Sequence, residues 1–281
     1  MGNESLTWIA GDSSIYRLFD YAVDSRRGVL AITGFGLPDI EHTSQPFPFQ
    51  HGMLDIARRF RDRKVQIAYW QNWDTRAAWQ TGREAIRDAL NPDLGRGQLK
   101  FIDANGIDWR LDAWVNSIPL ERSGEWSPLE IRTVLEFWVP WPFWRKSSQE
   151  SEDGDFNGIN NVNIAISNNG NVPTIPNTIV LTTGAGEQIT NPILLIVGTG
   201  LTIDLEHTMA QNEQITITCF PPDDVSILEA GGGSIVGDLT YDSVLVGFEL
   251  PRGASTFRIT GGNAGDNGNC QINFYEWFLA L

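Results

Sequence analysis

The sequence predicts a mainly β chain in two folding units, the first built around one α-helix. Three observations predict it. Charge is split: residues 1–146 carry 18 Lys and Arg against 19 Asp and Glu, whereas residues 147–281 carry 2 against 16. Ten of the eleven tryptophans lie in the first stretch, and only Trp277 lies in the second. Short apolar runs broken by 28 Gly and 14 Pro recur throughout, and one segment alone has a helical period. The composition shifts at Lys146–Asp155, a polar acidic run without apolar periodicity. Residues 147–158 therefore read as an acidic linker between a unit over 1–146 and a unit over 159–281.

In the first unit, Ile15–Phe19 and Gly28–Thr33 are short apolar runs between turn residues. Pro46, Pro48 and Gly52 mark a turn, Met53 to Phe60 alternates, and Val65–Tyr69 alternates again as a half-buried strand should. The period then changes. From Arg76 to Leu90, Ala78, Trp79, Gly82, Ala85, Ile86, Ala89 and Leu90 fall in an apolar arc of roughly 140°. Arg76, Arg83 and Arg87 lie on the other side. Asp74 or Thr75 supplies the N-cap, and Asn91-Pro92 ends the helix. Leu99–Asp103 and Ile107–Leu111 flank Asn105-Gly106, the strongest hairpin signal in the chain. Leu129–Trp138 places Ile131, Thr133, Leu135 and Phe137 on one face, with Glu130, Arg132, Val134, Glu136 and Trp138 on the other.

The second unit reads as a β-sandwich. Asn161–Ile166, Thr178–Thr182, Ile193–Val197, Leu201–Leu205, Gln214–Cys219, Ser243–Glu249, Ser255–Thr260 and Gln271–Leu281 are its candidate strands.

Several function classes drop out. A net charge of −15 opposes a protein that wraps nucleic acid. Met1–Asp12 lacks a basic patch before an apolar run, so no secretory signal is expected, and no apolar stretch nears the ~20 residues of a membrane span. Cys219 and Cys270 read as buried thiols rather than a bridge. His42, His51 and His207 form no zinc motif, and no metal or cofactor is expected. The Gly231–Gly233 and Gly184–Gly186 runs lack the lysine of a phosphate loop and read as turns. Asp153-Gly-Asp155-Phe-Asn157-Gly158 matches the first half of a calcium loop, but Ile164 stands where the bidentate Glu belongs. No nucleophile elbow is present, and no catalytic residue is assigned.

The order of these features resembles the distal tail proteins of siphoviruses. In the first unit the matching stretches are Pro48–Met53, Arg58–Arg63, Val65–Tyr69, Ala89–Gly95, Gln98–Asp103 and the aromatic close Phe137–Trp144. In the second they are Ile166–Pro176, Asn191-Pro192, Gly198–Leu205, Gln214–Thr218 and Leu250–Gly253. Arg252 and the extra Gly231–Gly233 region depart from the pattern.

The resemblance implies a non-enzymatic virion protein, assembled in the host cytoplasm. The first unit would be a β-sandwich or split-barrel-like ring domain, and the second a galectin-like β-sandwich. Six copies would form a ring between the tail tube protein and the tail-tip or baseplate hub protein, with DNA passing through. The second unit would hold receptor-binding proteins or meet host glycans, and no membrane is involved. The expected ring contacts are Arg58, Arg59, Arg61, Arg63, Arg76, Arg83 and Arg87. Tyr275 and Trp277 are the expected contacts if the sandwich binds carbohydrate.

Overall fold

A computed structural model describes residues 4–20, 26–46, 53–117, 129–157, 161–221, 224–261, 263 and 265–281. The turn expected at Pro48–Gly52 and His51 lie outside the described residues. The chain divides into two compact units, one of Met1–Ser147 with Phe278–Leu281 and one of Ser148–Trp277. The second unit is therefore an insertion: the last four residues return to the first.

The first unit contains β1 (Ser5–Ile9), β2 (Ile15–Asp20), β3 (Arg27–Thr33), β4 (Ile40–Pro46), β5 (Met53–Phe60), β6 (Arg63–Asn72), α1 (Arg76–Ala89), β7 (Gly97–Ile102), β8 (Asp108–Ser117), β9 (Glu130–Val139) and β10 (Trp144–Lys146). The main path runs β2-β1-β7-β8-β9-β6-β3, antiparallel at every step. β8 changes partner midway. Its residues Asp108–Ala113 pair with β7, whereas Trp114, Val115 and Ser117 pair with β9 across a register slip. The slip bends the path into two sheets over one core.

Alternation fills that core. Val65, Ile67 and Tyr69 of β6 and Ile131, Leu135 and Phe137 of β9 point inward, as the period of two requires. Trp8 from β1 meets Phe137 at 4.9 Å between ring centroids. Its indole N–H donates to the Ala89 carbonyl at 2.9 Å, fixing the end of α1 to the sheet. Gly97 is required beside it, because a Cβ there would stand 2.5 Å from the Trp8 ring. A polar trio closes the far side: Tyr16 and Tyr69 hydroxyls both donate to the Gln71 side-chain carbonyl, joining β2 to β6.

The Asn105-Gly106 hairpin forms as expected. Gly106 has φ +81°, and the Asp103 carboxylate accepts from the Asn105 and Ile107 amides at 2.8 and 2.9 Å.

The second unit contains β11 (Glu150–Asn157), β12 (Asn161–Asn168), β13 (Pro176–Thr182), β14 (Ile189–Thr190), β15 (Ile193–Val197), β16 (Thr202–Asp204), β17 (Thr208–Met209), β18 (Gln214–Thr218), β19 (Ser226–Glu229), β20 (Gly253–Thr260) and β21 (Asn267–Phe274). A five-stranded sheet, β11-β21-β13-β18-β19, and a four-stranded sheet, β12-β20-β15-β16, each bury their inward residues. Ile164, Leu194, Ile196, Phe257 and Ile259 come from one sheet, and Ile179, Leu181, Ile215, Ile217 and Ile272 from the other.

Two expectations change here. Residues 150–157 are not a linker: they form edge strand β11, paired with β21 from Glu150↔Phe274 to Asn157↔Asn267. Acidic residues suit an edge strand because they discourage pairing with a second chain. Ser243–Glu249 is not a strand. The Ser243 hydroxyl locks onto the backbone of Asp204, and Gly247 turns the chain with φ +86°.

Cys219 and Cys270 are free and buried. They flank β13 opposite Asn177 and Leu181, four residues or ~13 Å apart along that strand, too far to bridge. Burial pushes the Cys219 thiol up to about 12, and burial pushes Cys270 upward as well, so neither is a thiolate near neutrality.

Candidate functional site

Two exposed elements of the first unit are α1 and the β4–β5 hairpin. Thr75 caps α1, its hydroxyl accepting from the Ala78 amide at 3.2 Å. Its burial is narrower than the 140° arc implied. Within the helix only Ile86 is buried, with Leu90 at the C-cap, while Ala78 and Ala85 are exposed. The helix rests on its C-terminal turns. Midway, Gly82 lies so close to the Trp73 ring that a Cβ would stand 2.4 Å from it. Arg76, Arg83 and Arg87 all face solvent, with the Arg83 guanidinium 5.5 Å from the Trp79 ring centroid.

β4 and β5 pair only with each other among the described residues. Ile40, His42, Thr43, Ser44 and Ala57 to Phe60 are all exposed, so this ribbon has solvent on both faces. Glu41 pins it, accepting from Arg59 and from Arg61, the latter at 3.3 Å. These arginines hold the Glu41 carboxyl below the usual carboxylate range, Arg59 most strongly. Shallow hollows of about 350 and 570 Å³ flank the root of the ribbon. In the larger one Phe60, Trp138 and Arg59 come together, and the Trp138 indole donates to Asp62 at 2.7 Å.

Arg58, Arg59 and Arg61 are exposed as expected, but Arg63 is not. It is 4% exposed. Its guanidinium donates to the carbonyls of Gly34 at 3.0 Å, Phe35 at 3.3 Å and Leu279 at 2.8 Å, and also to that of Pro142. Burial lowers its pKa to about 10, so it stays charged. It is an internal clamp that fixes the returning C-terminal residues, not a surface contact. The sequence held the signal: Arg63 shares the parity of buried Val65, Ile67 and Tyr69.

In the second unit Trp277 is 2% exposed and packs on Phe220 at 5.1 Å, so its ring is core. Tyr275 is half-buried, and its carbonyl accepts from the Thr174 hydroxyl. The two do not make an open aromatic platform.

No group of acidic, His and Cys side chains among the described residues has the geometry of a metal site. Asp153 and Asp155 lie on a strand, so the calcium-loop spacing has no loop behind it. His207 sits between Asp238, at 2.9 Å from Nδ1, and Glu229, at 3.7 Å from Nε2. Among the described residues no helix is long and apolar enough to cross a membrane.

A one-helix β unit with an inserted β unit recurs in solved structures. The chain is similar to the crystal structure of SPP1 Dit (gp 19.1), described as a paradigm of the hub adsorption apparatus in phages infecting Gram-positive hosts. The TM-score is 0.69 at 13% identity, over 98% of this chain and 99% of that one. It is also similar to a chain of the phage P2 baseplate in its activated conformation with Ca, with a TM-score of 0.57 at 8% identity, over 96% and 97%. The same baseplate with Sr gives 0.55 at 8%, over 97% and 98%. No family model matches the sequence, and no curated protein matches it. At these identities the shared property is the fold, and it runs through both units.

Proposed function

We propose that this chain is a structural protein of a phage tail, six copies of which close a ring at the distal end of the tail tube. One observation carries the reading: the likeness to SPP1 Dit spans 98% of this chain, so it includes the one-helix unit and the inserted sandwich together. In this reading the first unit makes the ring between the tail tube protein and the tail-tip or baseplate hub protein. DNA passes through in transit. The second unit faces outward toward receptor-binding parts, and no step is enzymatic.

Two surfaces support the assignment of the ring to the first unit. An isolated two-stranded ribbon is marginal in water, so β4–β5 gains stability when a neighbour covers it. The exposed arginines of α1 and β5 have the chemistry of interface anchors. Arg58, Arg59, Arg61, Arg76, Arg83 and Arg87 are the contacts we assign; Arg63 is withdrawn because it is buried.

The test is the mass of the purified protein by light scattering across a concentration series, with negative-stain images of the peak. The expected species lies near six times the 31.3 kDa chain mass and shows ring views. Reversing Arg76, Arg83 and Arg87 to Glu should abolish it while circular dichroism stays unchanged. A monomer at every concentration that also fails to cap isolated tail tubes would overturn the reading.

A further inference from the structure

Asparagine followed by glycine is open to cyclisation, because glycine has no Cβ to shield its nitrogen from the preceding side chain. The sequence holds four such pairs, beginning at 105, 157, 169 and 267, and the glycine of the pair at 157 lies outside the described residues. The other three sit in different surroundings.

Two of them are held. Gly170 is buried, its amide donates to the Asn168 side-chain carbonyl at 3.0 Å, and a Cβ there would stand 2.5 Å from the Trp277 carbonyl oxygen. Gly268 is buried in β21 opposite Phe156, and the Asn267 side-chain amide donates to the Gly265 carbonyl at 2.9 Å. Bringing either glycine nitrogen onto its asparagine side chain means disturbing packed structure.

Asn105-Gly106 is open. Both residues are exposed, between the ends of β7 and β8. A Cβ on Gly106 would meet nothing within 4 Å, and among the described residues no hydrogen bond holds the Asn105 side-chain amide. One turn hydrogen bond restrains the Gly106 nitrogen, which donates to the Asp103 carbonyl at 2.9 Å. A bond in an exposed turn opens at lower free energy than a buried strand.

We infer that Asn105 is a self-modification site, at which the folded chain turns a side-chain amide into an acid. The Gly106 nitrogen gives up its proton and bonds to Cγ of Asn105. The Cγ–Nδ2 bond breaks, and ammonia leaves with that proton. The cyclic imide then takes up one water. Opening at Cγ gives aspartate; opening at the Asn105 main-chain carbonyl gives isoaspartate, which lengthens the turn by one carbon. Either product sets a new negative charge near Asp103. That carboxylate accepts from the Asn105 and Ile107 amides and from the Trp109 indole at 3.1 Å, so it organises the turn. Like-charge repulsion and the longer main chain both loosen it. The site does not depend on ring formation.

The test ages the purified full chain, folded and in denaturant, in warm, mildly alkaline buffer. Peptide mass mapping and isoaspartyl methyltransferase labelling follow each site. In denaturant, positions 105, 169 and 267 should convert alike. In the folded chain Asn105 should convert about tenfold or more ahead of Asn169 and Asn267, which must also give up packing to react. The rate should rise with pH, because the attacking nitrogen must lose its proton. Hydrogen exchange at the residue 105 and Ile107 amides should quicken in the aged protein but not in Asn105→Ser aged alike. An unmodified Asn105 in the folded chain, a rate there no faster than at Asn169 or Asn267, or equal loosening of the Asn105→Ser variant would each overturn the assignment.

Discussion

The two units solve the same packing problem and then diverge at the surface. Both bury alternating Ile, Leu, Val and Phe between antiparallel sheets. The first keeps acids and bases nearly balanced and leaves Ile15, Leu30, Leu37 and Ile40 more than half exposed. The second carries 16 acids against 2 bases and leaves Tyr241 and Val246 more than half exposed. Core physics therefore explains the fold of both, and net charge is where their surfaces differ most. An arginine-bearing surface suits protein contacts, and an acidic one suits solvation.

The largest expected effect would confine damage to one unit. Trp8→Ala removes the ring that packs on Phe137 and the donor that holds α1, and should cost the first unit about 3–5 kcal/mol. Hydrogen exchange should rise across β1, β6 and β9 while β13, β18 and β21 stay protected. Equal loss of protection in both units would show that they unfold as one.

Arg63→Met comes next. It removes the donor that the carbonyls of Gly34, Phe35, Pro142 and Leu279 share, the one at Pro142 being buried, for about 2–3 kcal/mol. The distinguishing readout is the C-terminus: carboxypeptidase should trim Leu281 and its neighbours faster in the variant. An unchanged trimming rate would mean the clamp does not hold the returning segment.

These two residues also show what the sequence made legible. The Asn105-Gly106 hairpin, the β9 alternation and the capped helix could be read because each is set by local periodicity and turn chemistry. The β4–β5 ribbon could not be read as free-standing, since nothing in its residues says that no third strand joins it. β11 was hidden because its acids argue against a strand, although an edge position favours them. The strand expected at Ser243–Glu249 failed because a hydroxyl lock at Ser243 overrode an apolar pattern. The arginine cluster was visible, but Arg61 and Arg63 share the parity of Val65, and only the start of β6 at Arg63 separates the buried one from the exposed one.

Gln71→Leu is a smaller perturbation of the first unit. The Tyr16 and Tyr69 hydroxyls lose their shared acceptor, though they still face each other at 3.2 Å. A loss of about 1–2 kcal/mol is expected by denaturant titration. Replacing both tyrosines by Phe in the same background should recover part of it, because the two hydroxyls that Gln71 accepted from are then removed.

Acid should move the two units in opposite directions, by the least. In the first unit Arg59 and Arg61 lower the Glu41 carboxyl, Gln66 and Asn116 lower Glu136, and the Ile107 amide lowers Asp103. A carboxyl lowered by folding contributes stability above its unfolded value near 4, and loses it as pH falls through the folded value. In the second unit partial burial raises Glu249, so its contribution is complete below that unfolded value and is lost as pH rises through the folded one. Relief of repulsion among 16 acids adds in the same direction. Hydrogen exchange at pH 6 and pH 3, corrected for intrinsic rates, should show protection falling in β4, β5 and the β7–β8 turn but holding or rising in the sandwich. Salt separates the causes within the first unit. At 1 M ionic strength the Debye length shrinks to about 3 Å, so the arginine-held Glu41 effect should fade. The Asp103 effect rests on backbone amides and should persist.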